Sequence, residues 1–329
     1  HDVAAVVAKV SYEIDPYGKV RLGFRLVRLS EVPDDHGGIK FPNDLCDEKP
    51  GTDVGLIGNA NPPRGKPVDR MLAWVQVGPL RKVINVFGPR RFTTTLRETA
   101  PGPAQKLEPT PLRYDLCYGG HETVEDVLEE EAHNPVGVGF SRTPDSLAGS
   151  AAYVLEPVPD PNTGSTPHKS YGCFAPIPAN WEPRRSQAGT PDFEWAKNRA
   201  PVRPRDFSLD HNRWAVPELR SAAPLAPALE CEVGGVLPEG IWKFTLPDYA
   251  VEFAAQIAGE RGPLATHLDG VFIDAIDRVV ELTFRARVLL PRKWEFLERI
   301  FVRQDREMPP HVLETDEKRA AQTAVGGAR

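Results

Sequence analysis

Two histidines and a run of carboxylates are the first residues in this chain that could do chemistry. His121 and His133 lie twelve residues apart, and between them lie Glu122, Glu125 and residues 129–131, all glutamate. Imidazole and carboxylate groups are common zinc ligands, but this spacing matches no tight ligand pattern such as HExxH. The pattern favours a loop histidine beside a solvated acidic helix face, with a metal site as the alternative.

A second group joins three aspartates and a histidine near residue 200. Asp192, Asp206, Asp210 and His211 could form an acid/base cluster if they converged in one pocket. Five arginines lie in the same region, and aspartates also pair with guanidinium groups and cap turns. The second interpretation is favoured, and a metal-dependent hydrolase is the enzymatic alternative.

Nucleophilic and nucleotide chemistry have little support in the sequence. Cys117 or Cys173 would need a placed histidine to act as a nucleophile, and buried cysteines are usually inert. No GxSxG motif, no GxxxxGK[ST] phosphate loop and no strand–GxGxxG–helix unit occurs. We therefore predict no catalytic residue, no metal and no cofactor.

The most informative stretch is WEPRRSQAGTPDFEWAKNRAPVRPRDF at residues 181–207. It combines two tryptophans and two phenylalanines with five arginines and four prolines, and it has neither a helical nor a strand period. Tryptophan and arginine dominate the energetics of protein interfaces. The stretch is predicted to be an ordered loop that either builds the core of an unusual fold or grips another polypeptide.

Composition indicates a globular protein. The chain has 329 residues, of which 40% are hydrophobic and 26% charged, and its formal net charge is -6. No long basic run suggests nucleic acid, and no apolar run is long enough for a membrane helix. Its 34 prolines predict that much of the chain runs as loops and turns.

Four scattered cysteines, Cys46, Cys117, Cys173 and Cys231, form no CxxC pair. This usage is typical of a reduced, cytoplasmic protein, although two disulfides remain an alternative. No signal peptide is visible. The chain begins at His1 rather than Met, which leaves a missing upstream strand or a removed signal open.

The first and last thirds alternate with the period of strands. A hairpin is predicted from Val10 to Ile14 with its turn at Pro16–Gly18, and a second runs from Met71 to Phe87 through Gly78–Pro79. Residues 53–58 read as a short buried strand. The clearest alternation, at residues 280–288, is predicted to form a hairpin with residues 271–273 through a turn at 274–278.

Two helices are predicted outside these strands. Residues 123–132 carry Thr123 as an N-cap, early acids and a stop at Asn134–Pro135. After Pro291, an apolar helix face is predicted from Trp294, Leu297, Ile300 and Phe301.

The predicted fold is mainly β, or β-rich α+β. Antiparallel sheets and hairpins form a sandwich or open barrel, with a long Pro/Gly-rich irregular middle and a C-terminal helix. We predict one domain over residues 1–313, in which parts 1–100 and 236–313 share a core and part 101–235 covers it. Residues 314–329 are polar and Ala/Gly-rich and are predicted to be a flexible tail.

Several motifs in order resemble the bacterial domain-of-unknown-function family 2169. They include LRYDLCYGG at 112–120, NPVGVGF at 134–140, FAPIPANWEPR at 174–184 and EGIWKFTLP at 239–247. The stretches at 49–60, 75–92 and 188–207 and the strand-rich region near the C-terminus resemble it as well. The resemblance therefore covers nearly the whole chain.

The resemblance implies a cytoplasmic adaptor or chaperone of type VI secretion. Such a protein binds a toxic effector and helps load it onto the VgrG/PAAR spike, so its partners are proteins and not nucleic acid or membrane. An enzyme is not expected; the alternatives are the metal-dependent hydrolase and a carbohydrate-binding β module. The candidate partner-binding residues are Tyr118, Asn134, Trp181, Arg184, Asp192, Trp195, Arg199, Asp206 and Phe207.

Overall fold

Strands dominate the described chain, which in this computed structural model comprises residues 2–64, 66–96, 98–159, 171–226, 228–247, 251–290 and 297–304. In chain order they are β1 (Asp2–Ile14), β2 (Val20–Leu22), β3 (Val32–Pro33), β4 (Ile39–Phe41), β5 (Asp53–Ile57), β6 (Asn59–Ala60), β7 (Arg70–Val77), β8 (Leu80–Phe87), β9 (Phe92–Thr94), β10 (Thr99–Pro101), β11 (Thr110–Pro111), β12 (Tyr118–Gly119), β13 (His121–Val124), β14 (Val127–Glu130), β15 (Val138–Gly139), β16 (Leu155–Pro157), β17 (Glu230–Leu237), β18 (Gly240–Thr245), β19 (Val251–Ile257), β20 (Glu260–Leu264), β21 (Thr266–Asp274), β22 (Val279–Leu290) and β23 (Leu297–Gln304). The mainly β class is therefore confirmed.

Helices are short and confined to the middle of the described chain. They are α1 (Arg184–Gln187), α2 (Phe193–Asn198) and the 3-10 helices Tyr114–Leu116, Pro144–Leu147, Leu209–Asn212 and Pro217–Leu219. No helix within the described residues is long and apolar enough to cross a membrane. The predicted tail and Trp294 lie outside the described residues.

The first five-stranded sheet, which we call sheet 1, joins strands from the first and last thirds of the chain in the order β2-β1-β22-β21-β5. β1 and β22 pair antiparallel from Asp2↔Leu290 to Glu13↔Val279, and β5 pairs parallel with β21. The β1–β2 and β21–β22 hairpins and the buried strand β5 confirm the sequence predictions.

The second sheet, sheet 2, has the order β16-β8-β7-β17-β18 and contains the predicted β7–β8 hairpin. Buried side chains of both sheets form one apolar cluster that includes Tyr12 and Phe272 from sheet 1 and Val75 and Ile84 from sheet 2. Two separate hydrogen-bonded sheets over one core correspond to the sandwich alternative. The middle of the chain contributes to the same cluster, for example through Tyr114, Leu155 and Phe174.

The predicted C-terminal helix is wrong where it is described, because β23 is a strand in a third sheet of order β20-β19-β23. The ladder runs from Ile257↔Leu297 to Gln256↔Arg299, so one extra residue bulges out of β23. The bulge puts Leu297 and Ile300 on one face, where both pack on a small core cluster. It thereby reproduces the i, i+3 spacing of a helix.

The predicted helix at 123–132 is also wrong. β13 and β14 form a hairpin, with His121 opposite Glu130 and Val124 opposite Val127. The two turn residues, Glu125 and Asp126, have φ of 49° and 65°. A two-residue hairpin turn needs positive φ at both positions, and aspartate tolerates that region better than most residues. Acids that resembled a helix N-terminus therefore form a tight turn.

One face of sheet 1 carries buried charges, and loop residues complete them into a network. Lys9 Nζ lies 2.8 Å from Asp44 and 3.1 Å from Glu281. Arg285 lies 2.7 Å from Asp269. Each side chain in the network is at most 5% exposed. The members are four cations and four anions: Lys9, Lys49, Arg213, Arg285, Asp44, Asp53, Asp269 and Glu281.

Asp53 is the most heavily bonded carboxylate of this network. Its Oδ1 accepts a hydrogen bond from Arg213 Nε at 2.8 Å, and its Oδ2 accepts one from the Trp214 amide at 2.8 Å. Burial alone would raise the pKa of Asp53, but Lys49 and Arg213 outweigh burial and hold the pKa below its ordinary value. Asp53 thus fixes residues 213–215 against the start of β5.

We expect Asp53→Asn to lower the free energy of unfolding by about 3–5 kcal/mol, because it removes the carboxylate that pairs with buried Arg213 and leaves Lys49 with Asp269 alone. Urea unfolding followed by circular dichroism measures this change. Asp47→Asn is the control, since the Asp47 side chain is 46% exposed. Equal losses in the two variants would contradict the assignment.

The lowered pKa of Asp53 predicts how stability depends on pH in acid. Its folded-state pKa is below the ordinary 3.8, so the unfolded chain takes up the proton first as pH falls. The stabilisation is complete above that value and is lost as pH falls through the folded pKa. The difference in unfolding free energy between wild type and Asp53→Asn should therefore shrink below about pH 4. A constant difference down to about pH 2 would contradict the prediction.

Candidate functional site

The Trp- and Arg-rich stretch divides into two parts with different surroundings. Residues 181–187, which we call the anchor, include α1 and reach into the core. Residues 188–207, which we call the α2 lobe, include α2 and are mostly exposed. The two interpretations of the sequence, core and contact surface, therefore apply to different halves of the stretch.

Trp181 and Arg184 secure the anchor. Trp181 is 3% exposed, and its ring meets the edge of Tyr114 with centroids 5.2 Å apart. Arg184 is 4% exposed; its Nε donates to the His211 carbonyl oxygen at 2.9 Å and its Nη1 donates to that of Ile177. Burial, only partly offset by the charge of Asp53, lowers the pKa of Arg184 to about 10. These two candidates are structural residues.

The α2 lobe is folded by side chains that bond to its own backbone. Asp192 caps α2 by accepting a hydrogen bond from the Trp195 amide at 2.8 Å. Trp195 Nε1 donates to the Val202 carbonyl oxygen at 2.7 Å, and Arg199 Nε donates to that of Arg203 at 2.6 Å. The helix and the loop after it therefore hold each other without a large core.

Asp206 closes the base of the α2 lobe. Its carboxylate accepts hydrogen bonds from the Thr190 amide at 3.0 Å and the Thr190 hydroxyl at 2.7 Å, and these bonds hold its pKa below the ordinary value. Gly189 beside it has φ of 78°, and a Cβ there would lie 2.8 Å from Pro204 Cβ. The closure therefore requires glycine at this position.

Phe207 joins the α2 lobe to the anchor. It is half-buried, with the Arg203 guanidinium 4.1 Å above its ring and the ring of His211 at 5.6 Å. His211 Nδ1 lies 2.8 Å from the Arg184 carbonyl oxygen. The side chains of Arg203, Phe207 and His211 therefore pack against one another at this junction.

A cavity of about 530 Å³ lies on the α2 lobe. Asp192 and Asp206 line it together, but both carboxylates are occupied by the backbone bonds described above, and His211 is not among the lining residues. Within the described residues, Arg199 and Arg205 make no ion pair with a carboxylate. The full lining is Thr190, Asp192, Glu194, Trp195, Asn198, Arg199, Pro204, Arg205 and Asp206.

Tyr118 and Asn134 lie apart from this cavity. Asn134 is buried, and its Nδ2 donates to the Tyr114 and Tyr118 carbonyl oxygens, each at 2.9 Å. Tyr118 is 48% exposed and packs its ring edge-on against Tyr153. Asn134 therefore holds the chain around β12, and the structure does not bring either residue to the α2 lobe.

The other chemical candidates are separated from one another. His121 Nδ1 lies 3.1 Å from the Pro135 carbonyl oxygen, and His133 Nδ1 lies 3.2 Å from Glu131. Nowhere in the described ranges do three His, Cys, Asp or Glu side chains gather as metal ligands would. All four cysteines are free thiols, and burial raises the pKa of Cys117 well above its ordinary value. A buried, protonated thiol is a poor nucleophile.

Sequence reasoning missed two groups that define the α2 lobe surface. Phe193 is 76% exposed and Val202 is 58% exposed, although both lie in the stretch that was singled out. Their exposure follows from the turn at Gly189 and the cap at Asp192, which aim α2 away from the core. The only sequence signal was the cap itself, an aspartate just before an aromatic residue.

The anchor makes a testable prediction. Arg184→Met should destabilise the protein by roughly 1–3 kcal/mol for each carbonyl group left unpaired in the core. Hydrogen exchange of the residue 188–207 amides should rise with it, because the anchor holds the lobe. Arg185→Met is the control: Arg185 is 50% exposed and pairs with Glu130 and Glu182 at the surface. Unchanged exchange in Arg184→Met would refute the anchor assignment.

Comparison with known proteins gives one match. A family model described as an uncharacterized protein conserved in bacteria matches residues 1–285, which is well over half of the chain. No curated protein and no solved structure matched. The matched region includes both large sheets up to Arg285, the anchor and the α2 lobe. The chain therefore belongs to the bacterial family DUF2169.

Proposed function

We propose that this chain is an adaptor that binds another polypeptide through its α2 lobe. The observation that carries the proposal is an exposed surface with the composition of an interface on a backbone that is already fixed. Phe193 and Val202 expose apolar area, and Arg205 exposes a guanidinium group without a carboxylate partner in the described chain.

Preorganisation supports this use of the α2 lobe. Hydrogen bonds from Asp192, Trp195, Arg199 and Asp206 hold the lobe in one conformation before any partner arrives. A surface that needs no ordering on binding loses less conformational entropy, so more of its contact energy appears as affinity. The cavity beside Trp195 supplies a recess into which a partner side chain can insert.

The finer proposal names the partners. The motif resemblance supports a cytoplasmic adaptor or chaperone of type VI secretion, with a toxic effector as cargo and the VgrG/PAAR spike as its destination. The α2 lobe would then hold the effector while the sheet sandwich serves as a rigid support.

The alternatives have less support. The carboxylates that a hydrolase would use, Asp192 and Asp206, already accept backbone hydrogen bonds and maintain the fold of the lobe. A carbohydrate module would use Trp195 in the cavity as a stacking platform. A glycan array separates this module from an adaptor, since an adaptor gives no glycan hit.

The test uses affinity capture of the tagged protein from its native cytoplasm, identification of the partner, and titration of the purified pair. Phe193→Ala with Arg205→Ala removes exposed groups and no hydrogen bond among the described residues. We expect the dissociation constant to rise about tenfold or more, which corresponds to a loss of about 1.4 kcal/mol or more of binding free energy. Arg261→Ala, an exposed arginine over Phe301 on the third sheet, is the control.

An unchanged dissociation constant in the double variant, with the fold intact by circular dichroism, would remove the α2 lobe from the interface. A protein that captures no stoichiometric partner would overturn the adaptor proposal itself.

A further inference from the structure

β1 is paired along its whole length on one side only. The Ile14 amide donates to the Arg278 carbonyl oxygen. Hydrogen-bonded pairs alternate with non-bonded pairs along an antiparallel ladder, so the even-numbered residues of β1 are the ones that bond to β22. The odd-numbered residues therefore point their backbone groups to the opposite side. There the Gly23 amide bonds to the Ser11 carbonyl oxygen, and β2 pairs only with Tyr12–Ile14.

From Val3 to Lys9 this second side of β1 is open. The amide and carbonyl groups of Val3, Ala5, Val7 and Lys9 have no strand partner in the described chain. Seven extended residues make an edge about 20 Å long. Such an edge is a template for another strand, because it presents alternating donors and acceptors at the spacing of a ladder.

The side chains of β1 from Ala4 to Ala8 are apolar on both faces. Ala4, Val6 and Ala8 pack against the core clusters on one face, and Ala5 and Val7 are half-buried on the other. No charged residue occurs between Val3 and Ala8. A strand added here would lie directly beside these apolar side chains, with Arg285 and Arg287 of β22 one strand further away on the second face.

The other described edges of the three larger sheets are protected in the ways that natural proteins use. β5 is fully buried, β16 has three residues and ends in Pro157, and the β1–β2 turn approaches β18 at the Lys243 carbonyl oxygen. β20 and β23 carry the blocking residues Glu260, Arg261, Pro263, Glu298, Arg299 and Arg303. Proline and charge are the usual devices against edge pairing. Between Val3 and Ala8 the edge of β1 has neither, and the charge of Lys9 at its end is buried in the ion-pair network.

We propose that the open edge of β1 binds an extended apolar segment of a partner polypeptide by strand addition. The identity of the occupant as another polypeptide rests on the proposed function; the open edge itself does not. A second copy of this chain is the weaker occupant, since seven Ala- and Val-rich residues per copy fall far short of the about 20–30 residues a side of a stable interface. A partner held also at the α2 lobe gains avidity from both sites.

Hydrogen exchange by NMR tests the proposal on the whole protein. The probe is a short blocked peptide of alternating valine and alanine with a lysine at each end. We expect the peptide to slow exchange of the Ala5, Val7 and Lys9 amides about tenfold or more, while the Ala4, Val6 and Ala8 amides, already bonded to β22, change little. A peptide with glutamate in place of valine should have no effect.

Proline variants supply the second arm. Ala5→Pro removes an outward amide that no described strand uses, and proline is tolerated at such a position of an edge strand, so the protein should still fold. The peptide should then no longer protect the amides of Val7 and Lys9. Arg261→Pro is the matched control on the β20 edge, where its outward position is the one that Pro263 also takes, and it should leave protection intact.

Two outcomes overturn the inference: no odd-residue protection in wild type at saturating peptide, or protection that survives Ala5→Pro. Odd-residue protection that appears without peptide and rises with protein concentration would assign the edge to a second copy instead. The two proposals can fail separately. If partner capture depends on Phe193 and Arg205 but the peptide gives no protection, the adaptor proposal stands and only the strand addition is removed.

Discussion

Electroneutrality of a buried surface is the constraint on which the rest of this structure depends. One face of sheet 1 carries Lys9, Glu281 and Arg285, and these charges are covered instead of solvated. The covering segments supply Asp44, which pairs with Lys9, and the cations Lys49 and Arg213, which pair with Asp53 of β5. A buried ion without its partner is far more costly than a lost apolar contact, so the loops must return to one position. Charge pairing therefore fixes how these loops sit on the sheet.

The anchor and the α2 lobe extend this logic outward. Arg213 pairs with Asp53, and the chain on either side of it contributes the His211 carbonyl that Arg184 uses and the buried ring of Trp214. Arginine therefore has two roles in neighbouring segments: inside, it satisfies backbone carbonyls, and outside, at Arg205, it is available to a partner. Burial, not residue type, separates the two roles.

Much of the sheet framework was predictable because period-2 alternation survives wherever one face is apolar. The hairpins of β1–β2, β7–β8 and β21–β22 follow from it. Two predictions failed for local reasons: a bulge in β23 imitates helical spacing, and a tight acidic turn at Glu125 and Asp126 imitates a helix start. The buried charges were not predictable, since Glu281 and Arg285 alternate like a solvated face and only distant loops cover them. Of the candidate site, composition located the stretch at 181–207, but tertiary packing decided that Trp181 and Arg184 lie inside while Trp195 and Arg199 lie in the lobe.

The closure at Asp206 has a consequence for how this protein diversifies. Because Asp206 bonds to Thr190, the two ends of the α2 lobe meet at one point on the surface of the sandwich. Everything between them can be lengthened, shortened or exchanged while the entry and exit points stay where they are. The lobe is therefore a segment whose length and sequence can change while the two hydrogen bonds that close it, and the charge-matched interior, stay as they are.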